Sequence, residues 1–143
     1  MESVKVKEHM NHRPVCFTGE ETVVEAVERF LQSNSTGGPV VNDKKEVIGF
    51  VSEQDCLRFM ISVTYHSGEM SKSISEIMRT DVLTVKTYDS VLQVAEEMTG
   101  NKPKIYPVVD EDNRLVGTID RANVLKALDI HLHAMYEDQH GFA

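Results

Sequence analysis

Two short apolar stretches in the first half of the chain decide the fold: Pro39-Val40-Val41 and, after a polar turn, Gly49-Phe50-Val51. Both recur 68 residues later, as Pro107-Val108-Val109 and Gly117-Thr118-Ile119. Sliding the sequence by this offset aligns the two halves without a gap, and the apolar pattern matches beyond the identical residues. The chain is therefore predicted to contain two copies of one structural unit, in residues 1–68 and 69–143.

Each copy predicts the element order β-α-β-β-α. The expected elements are a strand, a helix, two strands and a final helix, at 15–17, 22–33, 38–41, 47–51 and 53–63, and again at 83–85, 90–100, 105–109, 115–119 and 121–131. Capping boxes are expected where the first helices begin, at Thr22–Glu25 and Ser90–Gln93. The final helices are expected to turn one set of apolar side chains inward: Leu57, Met60, Ile61, Leu125 and Leu128.

The size of one copy determines the expected architecture. A unit of about 50 residues buries too little apolar surface to be stable alone, so the two copies should pack together. The prediction is an α+β fold in which two β-α-β-β-α units form a pseudo-twofold pair with two equivalent clefts.

Composition argues against several classes of partner. The net charge is -8 and no basic cluster is present, which argues against nucleic acid. Neither a leader-like start nor an apolar run of about 18 residues is found, so no membrane association and a cytoplasmic location are expected. The six histidines and two cysteines form no metal-binding motif, and no metal site is expected.

The junction between the third strand and the final helix of the first copy is the candidate ligand site. Ser52 is a good N-cap, and Asp55 follows three residues later. The free N–H groups of the first helical turn could bind an anion, and the carboxylate could accept hydrogen bonds from a ribose diol. The alternative is that Ser52 and Asp55 form a capping box and nothing more.

The doubled unit resembles a tandem pair of CBS domains, also called a Bateman module, over about residues 4–131. The resemblance rests on Met10 and Met78 before the first strands, on the two Pro-Val-Val strands, and on Gly49-Phe50-Val51-Ser52-x-x-Asp55, which is similar to the family's G-h-h-[ST]-x-x-D signature. It implies an adenosyl ligand whose ribose binds the carboxylate. The residues that it implies for this site are Ser52, Asp55, Val15, Cys16, Thr36, Gly37, Gly38 and Pro39.

The second copy departs from the signature, because Asp120 and Asn123 replace the hydroxyl and the carboxylate. Asp120 would repel a phosphate, so a weaker site is expected there. Its implied residues are Asp120, Asn123, Leu83, Lys104, Ile105, Tyr106 and Pro107. The candidates for phosphate contacts are Arg13, Lys102, Lys104 and Arg121, each of which could instead be a solvated surface charge.

The predicted function is a stand-alone regulatory module that binds AMP, ADP, ATP, S-adenosylmethionine or NAD and signals to an unidentified effector protein. No cofactor is expected to be required, and a homodimer formed through apolar helix faces is implied by the resemblance. The alternative is a structural module that acts by oligomerisation and has vacant clefts. An enzyme is not expected, because the sequence offers no nucleophile–base pair or metal shell.

Overall fold

The computed structural model describes residues 4–66 and 70–140. The first copy contains β1 (Phe17–Thr18), α1 (Val23–Ser33), β2 (Gly37–Val41), β3 (Val47–Ser52) and α2 (Glu53–His66). The second contains β4 (Val85–Lys86), α3 (Val91–Met98), β5 (Ile105–Val109), β6 (Leu115–Asp120) and α4 (Arg121–His140). Short 3₁₀ turns at Val6–Glu8 and Ile74–Glu76 precede β1 and β4. The predicted α+β fold with two β-α-β-β-α units is confirmed, although β1 and β4 begin two residues later than expected.

Each copy forms a three-stranded sheet, in the orders β1-β2-β3 and β4-β5-β6. In the first sheet β1 pairs parallel with β2, and β2 pairs antiparallel with β3. The register places Gly37 opposite Ser52 and Pro39 opposite Phe50. The end of β3, where α2 begins, therefore lies beside the start of β2.

Neither of the capping boxes predicted at α1 and α3 is complete among the described residues. Thr22 Oγ1 accepts a hydrogen bond from the Glu25 backbone N–H at 3.1 Å, so α1 is capped by its threonine. Ser90 makes no side-chain cap, and its buried hydroxyl has no hydrogen-bond partner among the described residues. The expectation for Ser90–Gln93 is therefore wrong.

The inward face predicted for the final helices is also wrong. Buried positions of α2 are Asp55, Cys56 and Phe59, and buried positions of α4 include Val124 and Ala127. The predicted inward residues are mostly exposed: Leu57 (58%), Met60 (40%), Ile61 (50%) and Leu125 (71%), whereas Leu128 is partly buried. The apolar stripe is present, but another stripe of each helix covers the sheet.

The chain divides into two compact units that do not coincide with residues 1–68 and 69–143. One unit consists of Arg13–Val82 with Glu111–Leu115, and the other of Met1–His12, Leu83–Asp110 and Val116–Ala143. Val6 is fully buried in the same cluster as Val85, Tyr106 and Ile119. Ile74, from the segment that leads into the second copy, is fully buried with Phe17, Val40 and Phe59. Each leading segment thus supplies core to the unit built on the other copy.

Each leading segment, the residues just before β1 or β4, is held by backbone hydrogen bonds to the last strand of the other copy. Arg79 and Phe50 exchange two backbone hydrogen bonds of 2.9 Å, and Asn11 and Thr118 exchange bonds of 2.7 and 3.0 Å. A Cβ on Gly49 would lie 2.9 Å from the Arg79 carbonyl oxygen, and one on Gly117 would lie 2.6 Å from that of Asn11. Glycine is needed at both positions because any side chain would push the segment away.

In the described residues, the helices are too short or too polar to cross a membrane.

Candidate functional site

Ser52 and Asp55 form a complete reciprocal cap at the start of α2. Asp55 Oδ2 accepts hydrogen bonds from the Ser52 backbone N–H and from Ser52 Oγ, both at 2.9 Å. The Asp55 N–H donates back to Ser52 Oγ at 3.2 Å. The capping role considered for Ser52 and Asp55 is therefore present, and it uses one of the two oxygens of the Asp55 carboxylate, Oδ2.

Four other predicted site residues lie around this cap. The Thr36 carbonyl accepts a hydrogen bond from the Glu53 N–H at 2.9 Å, and Gly37 is the cross-strand partner of Ser52. Next along β2 is Gly38, and a Cβ on it would lie 2.5 Å from the Val15 carbonyl oxygen. The start of β2, the segment before β1 and the start of α2 therefore meet at one place.

Pro39 and Cys16 are less directly connected to this place. Pro39 is buried opposite Phe50 on β3. Cys16 is half-buried, and its carbonyl oxygen accepts a hydrogen bond from Arg29 Nη2 at 2.5 Å. Arg29 also stacks over the Phe17 ring at 4.4 Å, so it holds the segment that leads into β1.

Two arginines face the second oxygen of the Asp55 carboxylate. Asp55 Oδ1 lies 3.5 Å from Arg58 Nη1 and 3.7 Å from Arg79 Nε. The Asp55 side chain is 6% exposed, whereas those of Arg58 and Arg79 are 61% and 55% exposed. A buried carboxylate is costly unless it is paired, and these guanidiniums supply the opposite charge.

Neither arginine was singled out from the sequence. Arg79 is distant from Asp55 along the chain, and the backbone pairing with Phe50 is what brings it close. Met78-Arg79 aligns with Met10-Asn11 at the repeat offset, and the structure places each pair beside the glycine of the last strand of a copy, Gly49 on β3 and Gly117 on β6.

The helix start offers an anion fewer N–H groups than the sequence suggested. The Glu53 N–H donates to Thr36, and the Asp55 N–H donates to Ser52. Two donors of the first turn are therefore already used within the protein. A phosphate bound here would depend mainly on side-chain cations.

Cys56, the residue after Asp55, is a buried thiol. Burial raises its pKa to about 11, and the nearby charges of Asp55 and Glu53 act in the same direction. The thiol therefore stays protonated at neutral pH, as expected for a packing residue and not for a nucleophile.

The second copy keeps the geometry of the cap with different side chains. The Asp120 N–H donates to Asn123 Oδ1 at 2.9 Å, and the Asn123 N–H donates to Asp120 Oδ1 at 2.8 Å. The Tyr106 ring is fully buried in the core, and no described residue forms a hydrogen bond with its hydroxyl. Any contact of Tyr106 with a ligand would therefore come from its backbone.

The remaining predicted residues are surface groups or strand residues. Leu83 and the phosphate candidates Arg13, Lys102, Lys104 and Arg121 are exposed, Ile105 is half-buried, and Pro107 is buried in β5. An open depression of about 490 Å³ in the first-copy unit has Gly19, Asn42 and Ser75 in its wall, and neither Ser52 nor Asp55. Within 4–66 and 70–140, the His, Cys, Asp and Glu side chains form no group of three that could hold a metal.

Comparison with known proteins places this geometry in a family. The sequence-family model of the CBS domain matches residues 6–62 and again residues 74–130. A sheet-and-helix unit present twice, with the same strand-to-helix cap in each copy, therefore defines a tandem pair of CBS domains. The chain belongs to the CBS domain family.

Relatives and solved structures agree with this assignment. The structure is similar to CBSX2 of Arabidopsis thaliana, solved in complex with AMP, at 28% identity and a TM-score of 0.77, covering 89% of this chain and 98% of that one. It is also similar to a putative acetoin utilization protein, AcuB, from Vibrio cholerae, at 25% identity and a TM-score of 0.80, covering 94% and 96%.

A curated relative is a larger enzyme. The homoserine O-acetyltransferase of Methanosphaera stadtmanae is 27% identical over 87% of this chain. The match covers 24% of the enzyme, and the chain spans less than half the length of the first curated relatives that it matches.

Proposed function

We propose that this chain is a regulatory CBS pair that binds an adenosine-containing ligand between the start of β2 and the Ser52/Asp55 cap. The observation that carries the proposal is the buried Asp55 carboxylate beside Ser52, with Thr36, Gly37 and the Val15 segment around it. Among the described residues, its Oδ1 makes only long contacts, of 3.5 and 3.7 Å to two exposed arginines, so this oxygen keeps capacity to accept hydrogen bonds from ligand hydroxyls. The complex of CBSX2 with AMP supports the same ligand class.

The candidates are AMP, ADP, ATP, S-adenosylmethionine and NAD, and no cofactor or catalytic step is part of the proposal. The ligand would change the stability of the domain pair, and an effector protein would respond to that change in the cytoplasm. Arg13, Lys102, Lys104 and Arg121 stay candidates for phosphate contacts. The Asp120/Asn123 cap is proposed to be the weaker site, because Asp120 puts a carboxylate where Ser52 offers a hydroxyl.

A thermal-shift panel of these five compounds tests the proposal. The matched variant is Asp55→Asn, because Asn123 shows that an amide in this position accepts the capping hydrogen bond. At least one compound is expected to raise the Tm of the wild type by several degrees and that of Asp55→Asn by much less. Equal shifts for both proteins, or none for either, would refute the proposed site.

We also propose that the exposed apolar faces of α2 and α4 support a homodimer. Leu57, Ile61 and Tyr65 are 58%, 50% and 78% exposed at helical spacing on α2, and Leu125 and Leu132 are 71% and 60% exposed on α4. Exposed apolar rows of this kind are typical of surfaces that bind another protein, and the repeat gives the chain two of them.

Light scattering distinguishes this dimer from a monomer. The wild type is expected to show twice the 16.1 kDa mass of the chain, and the double change Leu57→Glu with Ile61→Glu should give a monomer. Leu31→Glu on α1, where the leucine is 73% exposed, is the control and should stay dimeric. A monomeric wild type at micromolar concentration would contradict the dimer.

The second candidate is a structural module whose function is oligomerisation alone. The observation that favours it is that both caps are already satisfied within the protein, at Ser52/Asp55 and at Asp120/Asn123. It predicts a dimer whose Tm does not respond to any compound of the panel.

A further inference from the structure

The feature that carries a further inference is the position of Arg79. Its backbone is bound to Phe50 by two hydrogen bonds of 2.9 Å, and Phe50 lies two residues before Ser52 on β3. Gly49 permits this approach, because a Cβ there would lie 2.9 Å from the Arg79 carbonyl oxygen. Arg79 is therefore fixed at the end of the strand where the cap forms, although its side chain is 55% exposed.

The charges around Asp55 exceed what its neutralisation requires. One carboxylate oxygen faces two guanidiniums, at 3.5 Å from Arg58 and 3.7 Å from Arg79. These distances are longer than those of charge-assisted hydrogen bonds, about 2.7–2.9 Å. The arginines can therefore turn toward an incoming anion without breaking a short bond to Asp55.

The helix start adds to the need for these cations. The N–H groups of Glu53 and Asp55 already donate to Thr36 and Ser52. A phosphate near the cap would meet the negative charge of Asp55 with few backbone donors to offset it. Guanidinium groups suit this task because they bind phosphate through two parallel N–H donors.

The second copy offers an internal comparison. The position of Arg79 is occupied there by Asn11, which is held by the same backbone bridge, to Thr118, and lies beside Gly117. Asn123 takes the place of Asp55, and Lys126 that of Arg58. Both copies therefore keep the backbone pairing between the leading segment and the last strand. In the first copy the paired residue is a cation, Arg79, and in the second it is the neutral Asn11.

We propose that Arg79 is a specificity-determining residue that makes the Ser52/Asp55 site select adenosyl ligands carrying a phosphate. This inference rests on the proposed function and names the ligand class within it. Arg79 binds the phosphate, Arg58 assists from α2, and Asp55 is left to accept hydrogen bonds from the ribose. Unphosphorylated adenosine would keep the ribose contact and lose the phosphate contact.

Calorimetric titration with adenosine and AMP separates these contributions. The wild type is expected to bind AMP at least about tenfold more tightly than adenosine. Arg79→Gln should weaken the affinity for AMP by about that factor and leave the affinity for adenosine within about twofold of the wild type. Arg79→Lys should have an intermediate affinity for AMP, because it keeps the charge and loses the planar guanidinium. Lys44→Gln, which removes one charge from an exposed turn residue, is the control and should match the wild type.

The outcomes separate this inference from the proposed function. Equal affinity of the wild type for adenosine and AMP would overturn the role of Arg79 and leave adenosyl binding intact. An equal loss of both ligands in Arg79→Gln would also overturn it, because the arginine would then serve only to position Asp55. A wild type that binds neither compound would overturn both proposals.

Discussion

At the scale of single residues, Asp55 has two roles that its two oxygens keep apart. Oδ2 completes the cap with Ser52, and Oδ1 faces the arginines. Asn123 performs the first role in the second copy without a charge. The change to asparagine keeps one acceptor and removes the carboxylate, so it separates the contribution of Asp55 to stability from its proposed role in ligand binding.

A second residue-scale feature is a difference between the copies in which of the first two strands carries a large buried side chain. The first copy has Phe17 next to Gly38, and the ring lies 3.1 Å from where a Gly38 Cβ would stand. The second copy has Val85 on β4 and Tyr106 on β5, and both are buried. Each sheet thus fully buries one aromatic ring, Phe17 or Tyr106, from a different strand.

Gly38→Ala is expected to destabilise the protein by about 1–3 kcal/mol, because its Cβ would lie 2.5 Å from the Val15 carbonyl oxygen. Urea unfolding measures this loss. Gly100→Ala is the matched control, since a Cβ there would meet one atom, at 3.7 Å, and stability should be unchanged or slightly raised. Equal effects of the two changes would contradict the tight packing at Gly38.

Cys56 should make stability fall at alkaline pH. Its pKa is raised from 9.0 to about 11 in the folded protein, so above pH 9 the unfolded chain loses the proton first. Stability is then lost as pH rises from 9 to 11, by about 2–3 kcal/mol for this group. Cys56→Val, which copies Val124 of the second copy, should show a shallower decline in the same range. Parallel pH profiles for the two proteins would argue against the buried thiol.

The residues of the cap could be predicted from sequence, and its cations could not. Ser52 and Asp55 are local to one turn, so their spacing alone indicates the contact. Arg79 reaches Asp55 through pairing between segments far apart in the chain. Local motifs carry no information about such a pairing.

At the scale of elements, the apolar periodicity of α2 and α4 did not predict which face of each helix packs on its sheet. Leu57, Ile61 and Leu125 form apolar rows, but Cys56, Phe59 and Val124 are the residues that cover the sheets. A helical repeat of apolar residues identifies a face without saying what packs against it. The exposed rows are therefore the basis of the proposed dimer.

The leading 3₁₀ turn of the chain gives the prediction at this scale. Val6 is fully buried in the cluster of Val85 and Tyr106, so Val6→Ala should cost about 2 kcal/mol. Hydrogen exchange should then accelerate within the second-copy unit, in β5 and α4. Lys7→Ala, at an exposed neighbouring position, is the control. Acceleration confined to β2 and α2 would contradict the observed membership of the two units.

At the scale of the whole molecule, the repeat predicted the fold, but dividing the chain at residues 1–68 and 69–143 gives a different membership from that of the two compact units. The offset of 68 residues assigns the same elements to each copy whichever unit the leading segment joins. Burial of Val6 and Ile74 in clusters of the opposite copies decides this, and it depends on contacts distant in sequence. The same copies differ where Ser52, Asp55 and Arg79 become Asp120, Asn123 and Asn11.

The central claim is that the Ser52/Asp55 site is the working one of the two, and calorimetric titration with AMP tests it most directly. The wild type is expected to bind one AMP per chain with measurable affinity, and Asp55→Asn to bind none at the same concentrations while unfolding at a similar temperature. Two equivalent AMP per chain, or unchanged binding by Asp55→Asn, would contradict the claim.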